Sequence, residues 1–133
     1  MATPQEFTSL LNETKKAKQA MYVVLDYVDL VNKHGNDLSP EALSVGDKIK
    51  DHGHEIGKHI EELRLHINST LNKIPVDNDE IRTAAERLIL YNGSIDEAMT
   101  WSESQKKGQE ENSYWWRYWQ AVYDRLKEKK AEL

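Results

Sequence analysis

The sequence contains no cysteine, which rules out disulfides and thiol catalysis. It has no apolar run long enough to cross a bilayer, and its first residues lack the charged start and apolar block of a signal peptide. An excess of positive charge is missing as well, because the formal net charge is −5, so bulk nucleic acid is not an expected partner. Together these absences predict a cytoplasmic protein with no membrane contact.

The alternation of polar and apolar residues that marks a half-buried strand is also missing, so we predict no sheet. Apolar residues instead recur every three or four positions, as they do on one side of a helix. A chain of 133 residues fits one domain. We therefore predict an all-α fold, an antiparallel bundle of four to five helices that forms a single domain over residues 1–133 and assembles as an oligomer.

Capping residues predict where the first two helices begin and end. Thr3 with Glu6 three positions later is the signature of a capping box. Gly35 is expected to close the first helix in the left-handed conformation. Ser39 then caps a second helix, which Pro75 ends.

Similar signals divide the second half of the chain. A cap at positions 77–78 starts a third helix, Gly93 closes it, and Ser94 starts a fourth. Residues 102–113 contain almost no apolar side chain, so we expect a flexible segment there, either a solvated loop or a frayed helix broken near Gly108. A last helix carries the aromatic residues.

The two long N-terminal helices are apolar on more than one side. The second helix carries a stripe at close to heptad spacing, which predicts packing in an antiparallel bundle; its residues are Val45, Ile49, Ile56, Ile60, Leu63, Ile67, Leu71 and Ile74. The first helix has a second apolar side formed by Val23, Tyr27 and Leu30. A helix of this kind is either central in its bundle or shared with a partner chain.

Three glycines lie inside the second helix, where each weakens the helix relative to alanine. At 100° per residue, Gly46, Gly53 and Gly57 fall within about 40° of one another. One explanation is the close approach of another helix. The other is the close approach of a ligand to bare backbone, which makes Gly53 and Gly57 candidate binding residues.

The segment SYWWRYWQAVY, residues 113–123, contains six of the eleven aromatic residues of the chain. On a helix they cover an arc of about 200°, wider than one small bundle usually buries. The surplus rings predict either a subunit interface or a platform for a planar ligand such as a nucleobase, with an arginine for its phosphate. The candidate binding residues are Tyr114, Trp115, Trp116, Arg117, Tyr118, Trp119 and Tyr123.

A ladder of His52, His59 and His66, interleaved with Glu55 and Glu62, runs along one edge of the second helix. Residues seven apart are separated by about 10.5 Å along a helix, so one ion cannot bind two of these histidines. We therefore predict that the ladder is a solvent-exposed edge of the helix. A metal-dependent enzyme remains an alternative. We predict no catalytic residue, no metal and no cofactor.

The stretch VGDKIKDHGHEIGKHIEELRLHI, residues 45–67, is similar to the first helix of the anti-CBASS sponges, small phage proteins that sequester cyclic-nucleotide alarm signals. The matching residues there are Ile49, Lys50, Gly53, Gly57, Ile60, Glu61 and Leu63. After a polar turn the match continues, to residue 99, with Arg82, Ala85, Leu90 and Gly93. Thr83 departs from the family, which has a large aromatic residue there, and the closing Arg-Ala element and the aromatic last helix have no counterpart.

This resemblance implies a phage-encoded, oligomeric, all-helical binder that acts in the cytoplasm of the host cell without a catalytic step. It implies pockets between subunits that hold cyclic oligonucleotides, and no individual pocket residue is carried over. A shorter stretch, Asn92-Gly93-Ser94-Ile95 through Ala98 to Trp101, is similar to the closing turn of a ubiquitin-associated three-helix module.

We therefore predict a non-enzymatic protein that sequesters a small nucleotide signal at the interface of a homo-oligomer and so antagonises bacterial immunity. One alternative is an inhibitor or adaptor, like an anti-CRISPR protein, that binds a bacterial defence protein through its aromatic C-terminal helix. The second alternative is the metal-dependent helical enzyme that would use the His/Glu ladder.

Overall fold

The computed structural model describes residues 2–133, and within that range the chain is all-helical, with no strand. This confirms the predicted fold class and its upper helix count. Five α-helices follow one another along the chain, with one 3₁₀ turn between the first two: α1 (Pro4–Lys33), the turn (Gly35–Asp37), α2 (Pro40–Asn72), α3 (Asn78–Asn92), α4 (Ile95–Lys107) and α5 (Tyr114–Ala131).

The helices are grouped into two compact units, Met1–Thr70 and Leu71–Leu133, where the sequence analysis expects one domain. The first unit contains α1 and nearly all of α2. The second contains the last residues of α2 with α3, α4 and α5. No helix within residues 2–133 combines the length and the apolar character that a membrane span requires.

The predicted helix starts are present as hydrogen bonds. The Thr3 hydroxyl accepts the Glu6 N–H at 3.1 Å, and the Glu6 carboxylate accepts the Thr3 N–H at 3.4 Å, which completes the capping box. Asp77 accepts the backbone N–H of Asp79 at 2.8 Å. Ser94 accepts the N–H of Glu97 at 3.1 Å. These caps satisfy N–H groups that the first turn of a helix cannot bond internally.

The helix ends agree with the sequence in one case and differ in another. Gly93 closes α3, as predicted, and does so in the left-handed conformation with a φ of 86°. Gly35 does not adopt a positive φ, so that prediction was wrong. The chain continues right-handed into the 3₁₀ turn, where the Asp37 N–H donates to the His34 carbonyl at 2.9 Å. The segment expected to be flexible, residues 102–113, is helical through Lys107, and Gly108 caps the end of α4.

In the first unit α1 and α2 form an antiparallel hairpin, and α1 packs on the glycine edge of α2. An added Cβ at Gly53 would lie 3.2 Å from a methyl carbon of Leu25, and one at Gly46 would lie 4.0 Å from Val31. Two ion pairs also join the helices, Lys18 to Glu61 at 3.2 Å and Lys50 to Asp29 at 3.8 Å. The close-approach explanation for the glycines is therefore confirmed at Gly53.

The apolar stripe of α2 was expected to be a packing seam, but much of it faces solvent in the hairpin. It lies about 80° round the helix from the glycine edge that α1 covers. The second apolar side of α1 is exposed as well. We call the exposed side chains of both helices the apolar face, which comprises Val23, Tyr27, Leu30, Val45, Ile49, Ile56 and Leu63.

The second unit is a three-helix arrangement with a well-buried centre. Side chains from all three helices meet there, and the core consists of Ile81, Ala85, Ala98, Val122 and Leu126. Two rings of the aromatic segment, Tyr118 and Trp119, are partly buried against this core. The arrangement follows from the stripes of α3, α4 and α5, each of which buries one side.

Candidate ligand-binding cleft

None of the six rings of the aromatic segment is exposed. Tyr114 is buried and the other five are partly buried. Successive rings pack edge-to-face, with centroids 5.0 Å apart for Tyr114 and Trp115 and 5.1 Å apart for Tyr118 and Trp119. The ammonium group of Lys106 lies over the Trp116 ring at 5.5 Å. The surplus apolar surface expected on this helix is therefore shielded within the second unit.

Arg117 was assigned to a ligand phosphate, but its guanidinium group is engaged by the protein. It donates to the Asn72 carbonyl at 2.7 Å and to the Asn112 carbonyl at 3.3 Å. It also lies over the ring of Tyr114 at 5.8 Å. Since Asn72 ends α2, the positive charge satisfies a carbonyl that the helix leaves unpaired.

The remaining candidates from the sequence are dispersed. Gly53 faces Leu25, whereas an added Cβ at Gly57 would meet nothing within 4 Å, so only Gly57 leaves open space beside the backbone. Tyr123 is partly buried on α5 in the second unit. The glycines belong to the first unit, and the aromatic segment belongs to the second.

The His/Glu ladder is solvent-exposed. His59 lies 3.9 Å from the Glu55 carboxylate and 3.6 Å from that of Glu62, with all three side chains about two-thirds exposed. His52 and His66 are also exposed. Within residues 2–133 no three His, Cys, Asp or Glu side chains are grouped as a metal ion would require.

A cleft of about 550 Å³ between α1 and α2 gathers residues that sequence reasoning did not select. Three cationic side chains, one carboxylate and one tyrosine lie along it, together with Leu11, Asn12, Thr14 and Gln19; the charged residues and the tyrosine are Lys15, Lys18, Arg64, Glu61 and Tyr22. Tyr22 is 55% exposed, so part of this residue is open to contact. The volume falls in the range of small-molecule sites.

Glu61 forms ion pairs with two of the three cations, Arg64 and Lys18. Its carboxylate accepts two 3.1 Å hydrogen bonds from Arg64 Nε and one of 2.6 Å from Nη2, and it pairs with Lys18 at 3.2 Å. Hydrogen bonds from Arg64 and then Lys18 lower the pKa of Glu61 to about 2. Three cations against one carboxylate leave the cleft with net positive charge, in a chain whose own net charge is −5.

A sequence signal for this site existed. Lys15, Lys18 and Tyr22 are spaced three and four apart, which places them along one side of α1. Glu61 and Arg64 are three apart on α2. What the sequence did not reveal was that these two short clusters face each other, because that depends on the register of the hairpin.

No protein-family model, curated protein or solved structure matches this chain. The resemblance of residues 45–99 to anti-CBASS sponges therefore stays a prediction.

Proposed function

We propose that this protein is a non-catalytic binding protein that captures a small anionic ligand with a planar ring, of the nucleotide class, in the cleft between α1 and α2. The observation that carries the proposal is the meeting of three cations and an exposed tyrosine ring at one cleft of an otherwise acidic protein. Sequestering such a signal is also the function predicted from the sequence, although by different residues.

The chemistry of the cleft suits a phosphate joined to a base. Lys15 and Lys18 offer ammonium groups, and Arg64 offers a guanidinium group that is already held by Glu61. Charge-assisted bonds to phosphate oxygens are among the stronger hydrogen bonds in proteins. The exposed aromatic residue Tyr22 is of the type that stacks on a base, a contact that contributes about 1–3 kcal/mol per base.

The same cleft is poorly suited to acid–base catalysis. Glu61 is its only carboxylate, and a pKa of about 2 makes this group a weak base at neutral pH. Both of its oxygens are also engaged by Arg64 and Lys18. A site with fixed cations and no poised base binds an anion without turning it over, which supports sequestration over hydrolysis.

The alternative of an inhibitor that contacts its target through α5 is less well supported. The rings of α5 pack on one another, on Lys106 and on the core of their own unit. Since Arg117 is also engaged by backbone carbonyls, α5 offers a partner little free contact area.

Calorimetric titration with a panel of mononucleotides and cyclic di- and trinucleotides tests the proposal. We expect saturable binding by at least one member, weakened by added salt because the contact is with charges near the surface. Lys15→Ala should lower the affinity about tenfold, the effect of losing one charge-assisted contact. Absence of binding across the panel would refute the proposal.

Lys16→Ala is the matched control. Lys16 is the next residue on α1, is exposed, and pairs with Glu13 at 3.1 Å, so it does not line the cleft. Its replacement removes the same charge and should leave affinity within about twofold of the parent protein. An equal loss for Lys15→Ala and Lys16→Ala would mean that overall charge, not the cleft, governs binding.

A further inference from the structure

The apolar face of the hairpin is the largest feature of the molecule that the proposed function does not use. Its seven side chains are 40–68% exposed, from Ile49 at the low end to Val23 at the high end. Isolated exposed apolar residues are normal, but a contiguous patch on a soluble chain marks a site of association.

Tyr27 on α1 and the exposed stripe of α2 lie on the same side of the hairpin, and Val23 and Leu30 continue the apolar face round the outer side of α1. Leu25 against Gly53 and Val31 against Gly46 define the sides on which the helices meet. At 100° per residue, and with α1 and α2 antiparallel, Tyr27 and Ile56 then turn toward one broad side. The pairs Lys18–Glu61 and Lys50–Asp29 lie on the opposite side, where the cleft opens.

The hairpin also buries too little to complete its own core. Val28 is the one hydrophobic side chain within residues 2–70 that is fully buried, and the other buried positions are Thr14, Gly46 and Gly53. Units of about 70 residues generally gain only a few kcal/mol from a single core. Further cover of the apolar residues of this hairpin would therefore add to its stability.

We infer that a second copy of this chain covers the apolar face, so that two hairpins form a four-helix bundle around a shared core. The near-heptad spacing of Val45, Ile49, Ile56 and Leu63 suits the side of a helix, and a second hairpin presents two helices with matching stripes. A face that pairs with itself gives a closed twofold dimer.

The amount of surface agrees with this occupant. Seven large side chains that are each about half exposed present on the order of 700 Å² per copy, close to the roughly 800 Å² per partner of a standard interface. The apolar face shares no residue with the lining of the cleft. The inference therefore does not rest on the proposed function.

Two leucines, two positions apart on α2, provide a matched test. Leu63 is 56% exposed on the apolar face, and Leu65 is 54% exposed about 160° away on the ion-pair side. Both positions already face solvent within one hairpin, so a lysine fits at either without disturbing the fold of the monomer. The variants are Leu63→Lys and Leu65→Lys, each in the full chain.

Light scattering after size exclusion, at several protein concentrations, gives the readout. We expect the parent protein and Leu65→Lys to have twice the 15.5 kDa mass of one chain, and Leu63→Lys to have the mass of one chain with its helix content retained. A parent protein that stays monomeric, a larger assembly, or a Leu63→Lys variant that stays dimeric would each overturn the inference. Lys15→Ala should remain dimeric, which separates this test from that of the cleft.

Discussion

The two units of this protein are similar in length but hide their apolar residues to very different degrees. Within the described residues, the first unit contains one fully buried hydrophobic side chain and eleven exposed large ones, whereas the second contains seven buried and four exposed. The second unit has three helices, so each can bury a stripe against two neighbours. Two helices cover only one side of each other, and the remaining stripes face outward.

The two units therefore have different properties. The second unit has a core, edge-to-face rings and an arginine that satisfies the end of α2, all of which are typical of a stable scaffold. The first unit has the cationic cleft and the apolar face, which are features of recognition. All four tryptophans belong to the second unit, so tryptophan fluorescence reports on that unit while circular dichroism reports on both.

The largest expected loss of stability comes from a substitution in the buried centre of the second unit. Leu126→Ala removes a side chain that is 0% exposed and leaves a cavity, which should lower the free energy of unfolding by about 2–5 kcal/mol. Denaturant unfolding followed by circular dichroism, which reports on both units, measures this. Leu65→Ala in the first unit is the control and should change stability by less than about 0.5 kcal/mol. Equal losses would remove the contrast between the units.

A smaller effect is expected where the two helices of the hairpin approach most closely. Gly53→Leu forces a branched side chain against Leu25 and should cost about 1–3 kcal/mol through overpacking. Gly57→Ala meets open space and should gain up to about 1 kcal/mol from better helix propensity. Amide hydrogen exchange of α1 and α2 distinguishes the two. Stabilisation by both substitutions would show that the glycine edge is not a packing surface.

The smallest expected effect is the change in stability with pH that arises from the Glu61 carboxylate. Its pKa is about 2 in the folded hairpin, below its ordinary value of 4.5, so its ion pairs contribute stability above about pH 4.5 that is lost as the pH falls toward 2. NMR titration of the Glu61 carboxyl carbon should give a midpoint near 2. Lys18→Gln and Arg64→Gln should each raise that midpoint, with the larger rise for Arg64→Gln. A midpoint near 4.5 in the parent protein would contradict the geometry of the cleft.

Local signals in the sequence predicted much of the fold. The caps at Thr3 and Ser94, a cap at position 77 or 78 and the helix end at Gly93 were identified because each depends on residues within one helix turn. Gly35 was wrongly assigned, because the chain there enters a right-handed 3₁₀ turn, which needs no positive φ. The second apolar side of α1 was also identified from spacing alone, and it is exposed.

The candidate site was far less predictable. From the sequence, the aromatic segment was expected to have more apolar surface than one bundle could bury. A helical wheel gives the width of an apolar side, but it does not show how many other helices pack against it. In the structure its rings pack against one another, the core and Lys106. Lys15, Lys18 and Tyr22 were not selected as candidates from the sequence. They form a cleft only together with Glu61 and Arg64, which are more than 35 positions away in the chain.

What the sequence determined by itself was the helical class, the position of most helix ends and the two-sided character of α1, since these follow from propensity, capping and periodicity within a few residues. The tertiary structure alone decided that α1 packs on the glycine edge of α2, and this choice left the isoleucine stripe exposed and formed the cleft. The physical reason is that the register and rotation of two helices depend on which side chains of one pack against the other, as Leu25 does against Gly53, and no local pattern encodes this.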